Sequence, residues 1–424
     1  MNAPLNVAIV GGGIAGVGLA LGLKDAPHLQ VTLFESAAAF GEIGAGVSFG
    51  ANAVRALAGL GMADPYHALA DRTPEPWQDV WFEWRRGSDA GYLGATLAPG
   101  VGQSSIHRAD FLDALARRLP DGMAVFGKRA CGLEQDATGA TLSFTDGTTY
   151  RCDLVLAADG IKSGLRGTVL SGHGLSDPGP RFTGSVAYRG LVERDALRER
   201  FRATGLDQHL LDVPQMYLAQ NGHILTFPIK QGRILNIVAF RTAQPRSAVW
   251  PADQPWVRNA SRAEVKEAFA DWGLAARTLV EAIESPTLWA LHDLEELPYY
   301  VHGRAALLGD AAHAMLPHQG AGAGQGLEDA WFLRELLSDP QLTRGNLERV
   351  LQAYEHWRLP RACRTQRTSW EAGELYEYRD RTVGDDEVRL GQTLAQRFDW
   401  LWRHDLLSDV HEARRWLGWV LQPV

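Results

Sequence analysis

Residues 1–36 constrain the fold of this 424-residue chain more than any other stretch. Asn6-Val7-Ala8-Ile9-Val10 is apolar and rich in β-branched residues, so it reads as a buried strand. Gly11-Gly12-Gly13-Ile14-Ala15-Gly16 reads as a turn, 17–23 as a helix, and 31–35 as a second apolar strand ending on Glu35. In such a strand–turn–helix–strand unit each spaced glycine has a task. Gly11 permits the tight turn, Gly13 lets the backbone approach a pyrophosphate, and Gly16 lets the helix pack close to the strand. The helix start, with Ile14 and Ala15, offers free N–H groups and a partial positive charge to phosphates. Glu35 stands where an acceptor for a ribose hydroxyl belongs, which disfavours a 2′-phosphate. The unit therefore predicts a dinucleotide site of the FAD or NAD kind.

Charge narrows the function further. The net charge of −8 argues against nucleic acid and anionic membranes as partners. An anionic substrate would need a local basic group. Cys131, Cys152 and Cys363 are few, far apart and odd in number, which suits a reducing cytoplasm and neither a disulfide framework nor a zinc site. The uncharged run 5–23 is not read as a membrane anchor, because no Lys or Arg precedes it and its glycines match the nucleotide turn.

Further along, 40–50 is glycine-rich and reads as a loop, containing Val47, whose backbone passes close to something flat or charged. A helix is expected at 51–60. Trp77, Trp81, Phe82, Trp84 and Tyr92 arrive together, and Val80, Phe82 and Trp84 alternate with Trp81, Glu83 and Arg85. That is a strand with one aromatic face, either sheet core or pocket wall. Residues 104–119 are expected as one helix with Arg108 in its first turn, where a cation opposes the helix dipole and calls for an anion. A hairpin turns about Asp146-Gly147. A buried strand then runs into Asp159-Gly160, its carboxyl end pointing into the nucleotide crevice.

From 181 to 291 the pattern becomes antiparallel, with strands at 185–192, 216–219, 223–228 and 234–240 and helices at 262–272 and 276–283. Residues 77–97 are expected to join that sheet. The chain then returns with a buried strand ending on Gly309-Asp310. Gly320, Gly322, Gly324 and Gly326 alternate with Ala and Gln before a long helix expected from near Leu327, a run that exposes N–H groups beside a ligand. Residues 345–424 read as helical, with Arg361, Arg364, Arg367 and Glu371 on one solvated face and the tryptophans mostly in core or subunit contact. The domain reading is 1–75, 101–180 and 292–344 for the nucleotide, 76–100 and 181–291 for the substrate, and 345–424 as a helical region.

Gly11-x-Gly13-x-x-Gly16, Asp159-Gly160 and Gly309-Asp310, in that order, resemble the single-component FAD-dependent aromatic hydroxylases, the group that includes p-hydroxybenzoate hydroxylase. The likeness covers essentially the whole chain. Within the group, 40–50, 103–111, 287–293 and 317–330 are similar to the members that act on salicylate. The resemblance implies an α/β fold: a Rossmann-like FAD-binding domain, an inserted mostly antiparallel β-sheet substrate domain and a C-terminal helical region. It implies that Gly11, Gly13 and Gly16, with Ile14 and Ala15, hold a non-covalent FAD pyrophosphate, that Glu35 holds the adenosine ribose, and that Arg108 reaches the pyrophosphate. Asp159 and Gly160 would serve FAD and the nicotinamide cofactor, and Gly309 and Asp310 the ribityl chain. Pro317, Gly320, Ala323 and Gly324 would lie along the isoalloxazine, with Val47 also among the cofactor residues. In the family's reaction NADH reduces FAD, a flavin C4a-hydroperoxide forms from O2, and the phenolate attacks it at the carbon bearing the carboxylate, so that CO2 leaves and salicylate becomes catechol. The implied protein is a cytoplasmic monomer or homodimer. Competing readings are hydroxylation of a hydroxynicotinate or hydroxybenzoate with its carboxyl kept, and a flavin-binding redox partner without oxygenase activity.

No metal-ligand cluster or nucleophile–base pair stands out in the sequence, so the chemistry falls to the cofactor. His318, next to Pro317, is the candidate to take the phenol proton, since imidazole titrates near neutrality. The substrate carboxylate needs a cation or donors, and the sequence does not choose among Arg189, His223, Arg241 and Arg246. Trp81, Trp84, Met216, Phe227 and Phe240 are candidate apolar walls, with His223 among the substrate-binding candidates.

Overall fold

The computed structural model describes residues 3–41, 46–243, 245–246 and 248–420. Leu5–Val10 lies between two parallel neighbours, Leu29–Phe34 and Leu154–Ala157. Ala305–Leu307 adds a further parallel strand beside Leu154–Ala157. Ala124–Val125 and Val301–His302 close the two edges. Every residue of Leu154–Ala157 is buried, because helices and loops cover both faces of a parallel sheet. This explains why these strands read as continuous apolar runs rather than alternating ones. The helices Ile14–Leu23 and Gly322–Leu337 pack together over the sheet.

The second sheet runs Val257–Asn259, Thr287–Asp293, Arg181–Glu193, Ile234–Thr242, Gly222–Ile229, Gln215–Ala219, Val80–Arg86, Tyr92–Leu97 in spatial order. Its neighbours are antiparallel except for Gln215–Ala219 with Val80–Arg86, which are parallel. Residues 77–97 thus do enter this sheet. One face carries Trp81, Met216, Phe227 and Phe240 and packs on Leu375, Tyr376, Phe398 and Trp402 of the C-terminal helices. The other carries Tyr188, Tyr217 and Ile224 against helices such as Arg194–Thr204 and Leu274–Glu281.

Four sequence expectations need correction. Ser104–His107 is a strand, and the helix begins only at Arg108 and runs to Ala116. Its partner is Gly46–Phe49, part of the expected loop, which pairs with it antiparallel. Long-range pairing has overridden local propensity here. Residues 42–45 of that loop lie outside the described residues, as do 421–424. The long helix starts at Gly322, before the expected Leu327, so the last glycines are helical. A Cβ on Gly326 would sit 3.1 Å from that of Ala15, so close helix approach outweighs the weak helix propensity of glycine. Finally, Arg361 does not share the solvated face of Arg364 and Arg367. It is buried and pairs with Glu328 at 2.6 Å.

Candidate active site

A cavity of about 340 Å³ lies between the two sheets. On one side it meets the opening turn. Gly11 has φ +108°, and a Cβ there would overlap the Ala158 carbonyl. One on Gly16 would overlap the Gly11 carbonyl. Gly11 and Gly16 therefore shape the turn from behind, whereas Gly13, Ile14 and Ala15 line the cavity. No atom stands within 4 Å of a Cβ built on Gly13, which leaves its backbone open to a ligand. The helix Ile14–Leu23 has no side-chain cap, so its first N–H groups await an acceptor. Glu35 does not line the cavity. It sits behind the turn, where its Oε2 accepts from the Gly12 N–H at 2.7 Å.

Other loops complete this wall. Gly160 lines the cavity beside Ala158, whereas Asp159 stands behind them. The Asp159 Oδ2 accepts from the Gly164 N–H at 2.9 Å, its Oδ1 is sealed with no partner among the described residues, and burial raises its pKa. Gly309 and Asp310 line the cavity, and Asp329 fixes them by accepting from the Gly309 N–H at 2.9 Å. Val47, Arg108, Pro317, Gly320 and Ala323 also face it. Gly324 instead packs on Ala53.

The antiparallel sheet supplies the opposite wall. Met216, Phe227 and Phe240 line it, and so do Trp81 and Phe82. Two successive residues of one strand reach the same cavity because the register against Tyr92–Leu97 shifts between Val80 and Phe82. Trp84 does not reach it. Its indole donates to Thr96 at 3.0 Å and stacks on Tyr376, inside the core. Among the four carboxylate candidates only Arg189 lines the cavity. Arg246 is paired with Asp293 at 2.7 Å, and Arg241 lies over Phe269 on the far side of the sheet.

His318 closes the end of the cavity and is 5 % exposed. Its ring packs edge-on to His223 at 5.0 Å and to Phe240 at 5.4 Å. Burial lowers its pKa to about 3, helped by His223, so the ring is neutral at pH 7. His223 stands one layer behind, fully buried and stacked on Phe240 at 4.2 Å. Its Nδ1 lies 3.1 Å from the Glu377 Oε1, while Arg379 meets the Glu377 Oε2 at 3.0 Å. The His223 Nε2 and the His318 Nδ1 are both sealed and without partners among the described residues. Sequence reasoning did not reach Glu377, Asn236 or Gln319. Asn236 was visible as a polar residue in an apolar strand, and its Nδ2 is sealed without a partner on the cavity wall. Among the described residues no cluster of His, Cys, Asp or Glu could hold a metal, and no helix is long and apolar enough to cross a membrane.

A glycine turn at the carboxyl end of a parallel sheet, open to a cavity that a second sheet roofs, defines a dinucleotide-binding protein. The family model described as FAD binding domain matches residues 4–178 and 200–369, and the chain belongs to that family. FAD is its cofactor, and the protein is a flavoprotein monooxygenase. The open backbone at Gly13, the uncapped helix and the paired walls fit that group. The chain is 64% identical to a salicylate hydroxylase of Pseudomonas putida over 98% of its own length and 96% of the relative's. It is 39% identical to a 6-methylsalicylate 1-monooxygenase of Aspergillus terreus, over 96% of this chain and 91% of the other. A solved salicylate hydroxylase substrate complex superposes with a TM-score of 0.91 at 54% identity, covering 97% of this chain and 98% of that one.

Proposed function

We propose that this protein converts salicylate, NADH and O2 to catechol, CO2, NAD and water. The observation that carries the reading is one cavity that joins an FAD cradle to an apolar wall ending on a neutral, buried histidine. The identity to salicylate hydroxylases over nearly the full chain supports the choice of substrate. Bound FAD would supply the redox chemistry, the transfer of two electrons from NADH and of one oxygen atom of O2 to the ring, with the other oxygen leaving as water. The chain's residues do the rest. Gly13, Ile14, Ala15 and Arg108 would hold the pyrophosphate on a turn shaped by Gly11 and Gly16, and Asp310 a cofactor hydroxyl, while Glu35 and Asp159 brace the turn and the strand end from behind. Trp81, Met216, Phe227 and Phe240 hold the aromatic ring and keep water out. With its Nδ1 sealed, His318 accepts the phenol proton at Nε2.

In this reading 1–75, 101–180 and 292–344 form the FAD-binding body, 76–100 and 181–291 the substrate wall, and 345–424 the helical support. Three free cysteines spread along the chain support a reducing cytoplasm, where the protein acts as a monomer or homodimer. The test is to incubate the purified yellow protein with salicylate and NADH while following both NADH loss and catechol. Matched amounts are expected. A product that keeps its carboxyl would assign the cavity to another aromatic acid, and NADH oxidation that salicylate does not stimulate would defeat the reading.

A further inference from the structure

Arg189 is a charge in the cavity that neither the glycine turn nor His318 accounts for. It pairs across the sheet with Val238, Val238 with Leu225, and Leu225 with Met216. All four line the cavity, so they form one row across its sheet wall. The Arg189 guanidinium lies 4.5 Å from the centroid of the Trp289 ring. Its Nε is sealed and has no hydrogen-bond partner, and among the described residues no carboxylate pairs with it. Burial and the neighbouring Arg108 cation together lower its pKa to about 10. A half-buried guanidinium with an unpartnered Nε and another cation near it is costly unless an anion arrives.

We propose that Arg189 is the anion-binding residue of the sheet wall, taking an anionic oxygen group of a ligand that enters between the sheets. The proposal rests on the monooxygenase reading above. Two of its ligands carry such a group: the aromatic acid, as a carboxylate, and NADH, as a pyrophosphate. A guanidinium can meet either with two parallel N–H donors. Trp289 packs against the guanidinium and limits its movement before the ligand binds. The pyrophosphate of FAD is already provided for by the glycine turn and the uncapped helix across the cavity.

The test uses the FAD-loaded protein and its Arg189→Met and Arg189→Lys variants. Affinity for salicylate and for the uncharged 2-hydroxybenzyl alcohol is read from the flavin spectrum. Affinity for NADH and for the phosphate-free donor 1-benzyl-1,4-dihydronicotinamide is read from anaerobic flavin reduction. Arg189→Met is expected to weaken one anion by about ten-fold or more while its uncharged analogue is unaffected, and Arg189→Lys to recover part of the loss. Loss of salicylate alone identifies the carboxylate, and loss of NADH alone the phosphate. Charged and uncharged ligands weakening together, neither anion changing more than about two-fold, or release of FAD would each overturn the proposal. Catechol formation is scored separately, so a protein that binds anions through Arg189 yet makes no catechol would sink the reaction and leave this inference standing.

Discussion

His318 is neutral at pH 7, and the proposed proton transfer to it depends on what stands behind it. In the proposed reaction the phenol proton would convert it to an imidazolium in a place where burial opposes that charge. The compensating charge is Glu377, one residue further back through His223. Burial raises the Glu377 pKa, but the His223 hydrogen bond and the Arg379 charge outweigh it and keep the group ionised. His318→Ala should therefore lower kcat by roughly 100-fold while FAD stays bound, as read from the flavin spectrum and catechol formation. Glu377→Gln, which keeps the shape but removes the charge that raises the His318 pKa, should shift the rising limb of the kcat–pH profile downward; an unchanged profile would exclude Glu377 from the proton path. The same shift carries a stability sign. Unfolded His318 takes its proton near 6.5 and the folded residue only near 3, so its contribution is intact above 6.5 and is lost as pH falls between those values. His318 was legible in the sequence because it follows Pro317 beside the glycine run. Glu377 was not, because the contact that gives it meaning joins residues 154 apart in the sequence, within a helical region that carries no motif.

At the scale of elements, the most legible unit was also the most local. Strand, turn and helix from Leu5 to Leu23 follow one another directly, so their order shows in the residue types of a short stretch. Gly16 has no room for a Cβ beside the Gly11 carbonyl, so Gly16→Ala must open the turn. That variant should lose about 1–3 kcal/mol in urea unfolding and retain less FAD through gel filtration. Full retention of the flavin would show that the turn does not grip the pyrophosphate. The late glycine run was legible as a ligand loop but not as a helix. Its helical start is imposed by contact with Ala15 and Ala53, and propensity alone argues against it. Ser104–His107 reads as helix in the sequence for the same kind of reason, since its strand exists only through pairing with Gly46–Phe49. Gly326→Leu should force the helices Ile14–Leu23 and Gly322–Leu337 apart, lowering both the unfolding midpoint and FAD content. A stable variant with full flavin would place the contact outside the cofactor's support.

For the molecule as a whole, the FAD side of the cavity and the helical region are joined by a buried ionic cluster. Arg358 is fully buried and bridges Glu328 at 2.7 Å and Asp329 at 2.8 Å, and Arg361 adds a second contact to Glu328. Asp329 also accepts from Gly309 and stands 2.6 Å from His313, so the cluster runs from Leu347–Tyr376 to the cavity floor. Such a group is costly to desolvate but more costly to break, because removing one partner strands the others. Arg358→Met should thus cost about 3–5 kcal/mol at pH 7, measured by urea unfolding. Acid should act on the same point. Burial raises the Glu328 pKa from 4.5, but Arg358 and Arg361 outweigh it and hold the group at about 2. Between those values the unfolded chain binds a proton that the folded one does not, so the contribution of Glu328 is whole above 4.5 and falls as pH drops toward 2. Because the cluster holds Gly309, flavin release should accompany this acid step. Acid unfolding with the same slope in Glu328→Gln as in the unmodified protein, or flavin lost well above pH 4.5, would place the coupling between helical region and cofactor elsewhere.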